Sequence, residues 1–180
     1  MQPSLCGGLA ILLFTASISG CAKEDAAQAA GAAVISSGKT EALVDEIPTE
    51  VLAAAAAVKP DLKITGAEYE TRNGAEYYDV AGTVGGGEEI ELDLTKIDGV
   101  WTVVEIQRDI AESQAPGYVL AALRAHKPDF NIKRIIESDQ GDGVVIIYEF
   151  YRETAEGGLE KAEVKAENGT AEFLTEEWVH

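Results

Sequence analysis

The chain has 180 residues, 46% hydrophobic and 26% charged, with 32 Asp+Glu against 14 Lys+Arg for a formal net charge of −18. That composition belongs to a globular chain long enough for one ordinary domain or two small ones, not to a disordered one. It sets aside nucleic-acid binding and direct adhesion to anionic lipid headgroups, which need a basic surface; a basic partner or a cation is the electrostatic complement, and the acidity also favours solubility.

The first element is an address. Residues 9–14 are apolar and continue through small residues to Ile18, a run shorter than the roughly 20 residues that cross a bilayer. It ends in Ile18-Ser19-Gly20-Cys21, which resembles a lipobox: a branched apolar residue, two small residues, then the cysteine whose thiol is acylated before the chain is cut. The segment before the run holds no Lys or Arg, so the terminal amine is its only positive group. Residues 1–20 are accordingly expected to be a lipoprotein signal peptide and Cys21 the lipid attachment site. Cys6 would leave with the signal, so no internal disulfide is expected. Each buried methylene contributes about 0.8 kcal/mol, so two or three acyl chains anchor stably. The resemblance implies a cell-envelope protein, and Ala22 in place of Asp after the cysteine implies the outer membrane, facing the periplasm. Residues 21–46 comprise the lipidated cysteine and a flexible Ala-rich tether.

Beyond the tether one pattern is written twice. Pro48-x-x-Val51-Leu52-Ala53-Ala54 recurs as Pro116-x-x-Val119-Leu120-Ala121-Ala122, and Lys59-Pro60-Asp61-Leu62-x-Ile64 as Lys127-Pro128-Asp129-Phe130-x-Ile132, always 68 residues apart. Repetition in one register organises the rest of the chain. Each opening segment predicts a short helix, with Pro tolerated in its first turn and Pro60 or Pro128 ending it. Val51, Leu52 and Ala55, like Val119, Leu120 and Leu123, form a stripe that can lie on a sheet.

Three turn signals follow each helix: Asn73-Gly74, Gly85-Gly86-Gly87 and Asp98-Gly99, then Asp142-Gly143, Gly157-Gly158 and Asn168-Gly169. They predict four antiparallel strands per copy. Alternation puts Tyr78, Val80 and Val84 on one face with Ile90, Leu92 and Leu94, and Glu89, Glu91 and Asp93 on the other. The second copy repeats the inward set as Val144, Ile146, Tyr148 and Phe150. Its opposite face carries Val145, Ile147 and Tyr151, so something covers it, either the chain itself or a partner. The fold class expected is α+β, two tandem repeats that each pack a short helix on a four-stranded antiparallel sheet. Repeat 1 occupies residues 47–108, a linker 109–114, and repeat 2 residues 115–180.

The order Ile47-Pro48-x-x-Val51, an Ala-rich helix, Lys59-Pro60-Asp61-Leu62-Lys63-Ile64, Tyr77-Tyr78-Asp79-Val80 and a Lys-x-Asp-Gly turn before Val103-Val104-Glu105 resembles a PepSY-like domain. A more divergent copy runs from Ala115-Pro116 to Glu176-Glu177-Trp178. The resemblance implies a helix on a four-stranded sheet and, for tandem copies, an architecture like the β-lactamase inhibitor protein with a concave sheet surface. It implies protein binding, with peptidase inhibition the proposed family role, and no catalytic residues.

The residues themselves show no catalytic constellation. A hydrolase needs a nucleophile with a base in reach, and the mature chain would offer only His126, His180 and an acylated cysteine. His126 aligns with Val58 of the first copy, which marks it as structural or exposed. No zinc spacing is present, and residues 93–105 and 139–149 lack the ligand alternation and sixth-position Gly of a calcium-binding helix–loop–helix. Gly85-Gly86-Gly87 precedes a strand, not a helix, and so reads as a hairpin loop rather than a phosphate cradle. No metal and no cofactor is expected. The expected function is a lipid-anchored binding or peptidase-inhibitory module whose partner is an exported or envelope protein. Tyr69, Tyr77, Trp101, Val145, Ile147, Tyr151 and Trp178 are the candidate partner-binding residues, since strand-borne aromatics give large contact area at low entropy cost. The alternatives are a small-ligand or divalent-cation-binding envelope lipoprotein, and a passive structural one.

Overall fold

A proline at a helix start costs nothing, because its missing N–H would be unpaired there in any case. Pro48 and Pro116 accordingly precede α1 (Thr49–Val58) and α2 (Gly117–His126). Their carbonyls accept the first helical bonds, from the N–H groups of Val51 and Leu52 and of Val119 and Leu120, at 3.0 and 3.1 Å in both helices. Lys59 and Lys127 N–H close the far ends on the carbonyls of Ala55 and Leu123, at 2.8 Å, and Pro60 and Pro128 prevent continuation. A 3-10 turn leads into each helix, at Val44–Glu46 and Glu112–Gln114. The computed structural model describes residues 36–178; the expected signal peptide, Cys21 and His180 lie outside the described residues. Among the described residues no helix is long and apolar enough to cross a membrane.

Nine strands accompany the helices: β1 (Thr40–Ala42), β2 (Lys63–Arg72), β3 (Ala75–Val84), β4 (Glu88–Ile97), β5 (Val100–Ile110), β6 (Arg134–Asp139), β7 (Val145–Glu153), β8 (Leu159–Glu167) and β9 (Thr170–Leu174). Each pairs antiparallel with its sequence neighbours. Three of the hairpins turn on residue pairs in the left-handed region, such as Asn73 at φ 51° and Gly74 at 85°, the backbone that a tight two-residue hairpin needs and that Asn-Gly supplies at least cost.

The fold differs from the expected α+β pair of tandem helix-on-sheet repeats. The strands do not form two four-stranded sheets, one per repeat; they form one nine-stranded sheet in the order β1 to β9. The cause is the length of β5. Its first part pairs with β4 and its last five residues pair with β6, from Ile106 opposite Asp139 to Ile110 opposite Ile135. Two separate sheets would have left those backbone groups as unpaired edges. Residues 109–114, expected as a linker, hold the end of β5 and a 3-10 turn, and Ile110 is buried. The sheet also begins inside the expected tether, since β1 pairs Thr40 with Tyr69 and Ala42 with Ala67.

Both helices lie on one face. α1 packs over β4 and β5 and α2 over β8 and β9. Beneath α1, Val51, Ala55, Val80, Leu92 and Leu94 are fully buried; beneath α2, Val119, Leu123, Phe150 and Val164 are. Period-two alternation sends the neighbouring residues to the outer face, away from the helices.

Candidate binding site

Two arrangements stand out, one on each face of the sheet. On the helix face, β2, β3 and β5 carry Tyr69, Tyr78 and Trp101 to a place that α1 covers only in part, because its facing residues Ala53 and Ala54 are small. The result is a groove of about 840 Å³ lined by these five residues together with Glu50, Glu76, Lys96 and Val100. The aromatic rings are mutually braced: Tyr69 and Tyr78 lie 5.1 Å apart at a 51° tilt, and Trp101 meets Tyr78 edge-on at 5.3 Å. Such pairs hold their rings in fixed orientations. The rim is polar. Lys96 Nζ sits 4.8 Å above the Trp101 ring and 2.5 Å from the Glu76 carboxylate, which also accepts the Tyr69 hydroxyl at 3.3 Å. Burial and the neighbouring Glu76 raise the Tyr78 hydroxyl above its ordinary value, so it stays a neutral hydrogen-bond donor.

The outer face of the first four long strands is an acidic ladder. Glu68 lies opposite Asp79, Asp79 opposite Asp93, and Asp93 opposite Glu105. Asp79, Asp93 and Glu105 are buried. Like charges directly opposite each other destabilise a sheet, and the compensation is partial: Lys39 lies 2.7 Å from Asp79 Oδ2 and 3.0 Å from Glu68, and Gln107 Nε2 donates to Asp93 Oδ2 at 3.4 Å. Desolvation, then the charges of Asp79, Glu105 and Glu91, push the Asp93 carboxyl well above the ordinary carboxylate range.

That shift has a definite sign. The folded chain holds the Asp93 proton more tightly than the unfolded chain, so this contribution to stability is complete below the ordinary carboxylate range and is lost as pH rises through the raised value. With EDTA present, wild-type thermal stability should fall between about pH 5 and pH 9, and Asp93→Asn should remove most of the fall. Parallel curves for the two proteins would refute this.

The candidate residues named from the sequence divide between the faces. Tyr69 and Trp101 meet in the groove, joined by Tyr78, which alternation had assigned to the core. Tyr77 lies on the outer face with the Arg72 guanidinium 4.2 Å above its ring. Val145 is half-buried there, and Ile147 is 1% exposed, so it offers nothing to a partner. Tyr151 donates its hydroxyl to Glu149 at 2.5 Å. Trp178 crosses the same face: its backbone N–H donates to Glu163 at 2.7 Å, its indole N–H to Gln140 at 2.6 Å, and Lys165 lies 5.5 Å above its ring. It therefore spans β7 at the level of Ile147, whose register partners are Ser138 and Lys165. The C-terminal segment of the chain itself covers this apolar face.

Two further features are structural. His126 stacks on Phe173 at 4.6 Å and binds the Ala122 carbonyl through Nδ1 at 3.1 Å. Asp139 and Asp142, in the segment 139–149 that lacks the calcium-loop pattern, accept backbone N–H groups of their own loop. The acidic ladder escaped notice because Glu89, Glu91 and Asp93 alternate as a solvated face would; only cross-strand register brings Asp79 against Asp93. Comparison of the chain with family models, curated proteins and solved structures found no match in any of the three.

Proposed function

We propose that this chain is an exported, lipid-anchored binding module whose groove beneath α1 takes a segment of another envelope protein. The observation that carries the reading is the set of three braced rings, Tyr69, Tyr78 and Trp101, left open to a groove of about 840 Å³. Rigid aromatics at the base of a concavity, ringed by a few charged groups, are the usual anchor of a protein contact. The rim carboxylates Glu50 and Glu76 and the charge of −18 favour a segment that places an apolar or aromatic side chain next to Lys or Arg, since complementary charge speeds encounter and suppresses wrong partners. Lipobox-like Ile18-Ser19-Gly20-Cys21 supports the envelope address. Inhibition of a peptidase would be one use of such a contact.

The test is a photo-crosslinking residue at Val100, which borders the groove and is 65% exposed, in cells producing the full chain. A discrete protein adduct is expected, and Trp101→Ala should reduce it about tenfold or more, the scale of a central aromatic anchor. The same probe at Glu156, on the exposed β7–β8 loop, should give none. Equal labelling from both positions, or an adduct indifferent to Trp101→Ala, would rule the groove out.

A further inference from the structure

Two pairs of acids occupy the same place on two hairpins of the outer face. On β3–β4, Asp79 faces Asp93, and one pleat further along Ala81 faces Glu91. On β7–β8, Glu149 faces Glu163, and one pleat further along Tyr151 faces Lys161. In the second pair the charges are resolved internally. Lys161 Nζ lies 2.8 Å from Glu163 and 3.5 Å from Glu149, the Tyr151 hydroxyl donates to Glu149, and the Trp178 N–H donates to Glu163.

The first pair lacks each of these partners. Glu91, a third carboxylate, stands where Lys161 stands in the other hairpin, and Ala81, with nothing to donate, stands where Tyr151 does. Asp79 and Asp93 are 2% and 5% exposed, and Oδ1 of each is buried with no hydrogen-bond partner. Lys39 and Gln107 are engaged with the Oδ2 atoms, and Asp79 Oδ1 has a long ion pair with Arg72 Nη2 at 3.8 Å. A buried carboxylate oxygen without a donor is costly, and two of them on facing residues beside a third carboxylate more so.

We propose that Asp79, Glu91 and Asp93 form a site for a hard divalent cation of the calcium class, which does for the first hairpin what the Lys161 ammonium does for the second. One oxygen from each of the three residues lies within 4.8 Å of the others, so all three can share an ion at the roughly 2.3–2.6 Å calcium–oxygen distance. An all-oxygen donor set selects calcium, magnesium or manganese over zinc or copper. Glu91, the least buried of the three, borders a cavity of about 160 Å³ that Gln107, Arg108, Arg134 and Ile136 also line. The site lies on the face opposite the aromatic groove and does not depend on the reading of that groove.

The experiment is calorimetric titration of calcium chloride, then magnesium chloride, into the EDTA-stripped full chain in detergent, with thermal unfolding in parallel. Saturable binding of one ion per chain is expected, with Kd on the order of 10⁻⁴ to 10⁻³ M, the range of extracellular calcium modules, and a rise in melting temperature. Glu91→Gln and Asp93→Asn should weaken binding roughly 10–100-fold or more. Glu91→Lys, which copies the other hairpin, should raise the melting temperature in EDTA and abolish the response to calcium. Because that variant is expected to be more stable, its loss of binding is not a failure to fold. No saturable binding of either ion overturns the site, as does binding that survives Glu91→Gln and Asp93→Asn.

Discussion

Phe150→Ala is expected to lower the stability of the folded chain by about 3–5 kcal/mol, the range for deleting a fully buried aromatic. Phe150 has no exposed surface and lies under α2, opposite Ile135 on β6 and Ala162 on β8. Neither helix nor sheet can close over the space it would leave, because the backbone on both sides is tied into hydrogen-bonded ladders. The two tryptophans make the measurement more informative than a single midpoint. Trp101 stands beneath α1 and Trp178 on the outer face of the other half, so Trp178→Phe and Trp101→Phe backgrounds each isolate one reporter. In urea, Phe150→Ala should move both reporters to the same lower midpoint, since β5 and β6 continue a single ladder between them. A midpoint that shifts for Trp178 alone would mean that the halves unfold independently.

Lys161→Met should be the other large effect, about 2–4 kcal/mol at neutral pH. Removing one partner of a buried ion pair typically costs about 3–5 kcal/mol, and the 29% exposure of the Lys161 side chain reduces that through solvent screening. The variant leaves Glu163, 5% exposed, against Glu149 with no ammonium between them. Methionine keeps the length of the stem, so the loss reflects charge rather than packing. The deficit should shrink in strong alkali, because the folded chain holds the Lys161 proton more tightly than the unfolded chain does and that advantage is lost as pH rises above the ordinary lysine value. Denaturation at about pH 8 and about pH 11 checks this; equal deficits at both would show that Lys161 acts by packing alone.

The parts of the fold legible in the sequence are those with local causes. Asn73-Gly74, Asp98-Gly99 and Asn168-Gly169 name their turns because few other residues tolerate a positive φ, and Pro48, Pro60, Pro116 and Pro128 bracket their helices because proline lacks an N–H. Sheet continuity has no such signature. The join of Ile106–Ile110 to β6 is made by backbone groups that every residue carries, and nothing in those side chains distinguishes a paired edge from a free one. The same limit applied to the sites. Tyr69 and Trp101 could be singled out as strand aromatics, but whether α1 would cover them depended on Ala53 and Ala54, which lie between the buried Val51 and Ala55. Ile147 was recognised as needing cover, while its cover, Trp178, is thirty-one residues away in a segment with no regular structure. The carboxylates of the ladder are legible singly and become a cluster only through register.

The sheet's two margins differ from its interior in length. At one end three-residue β1 covers part of ten-residue β2; at the other five-residue β9 covers part of nine-residue β8. Among the described residues neither margin presents a long row of unpaired amides, and Lys63 marks the stretch of β2 that β1 does not cover. Copies held at high density are thus denied a template on this sheet for zipping together flank to flank, so self-assembly into fibrils is disfavoured by its short margins as well as by charge.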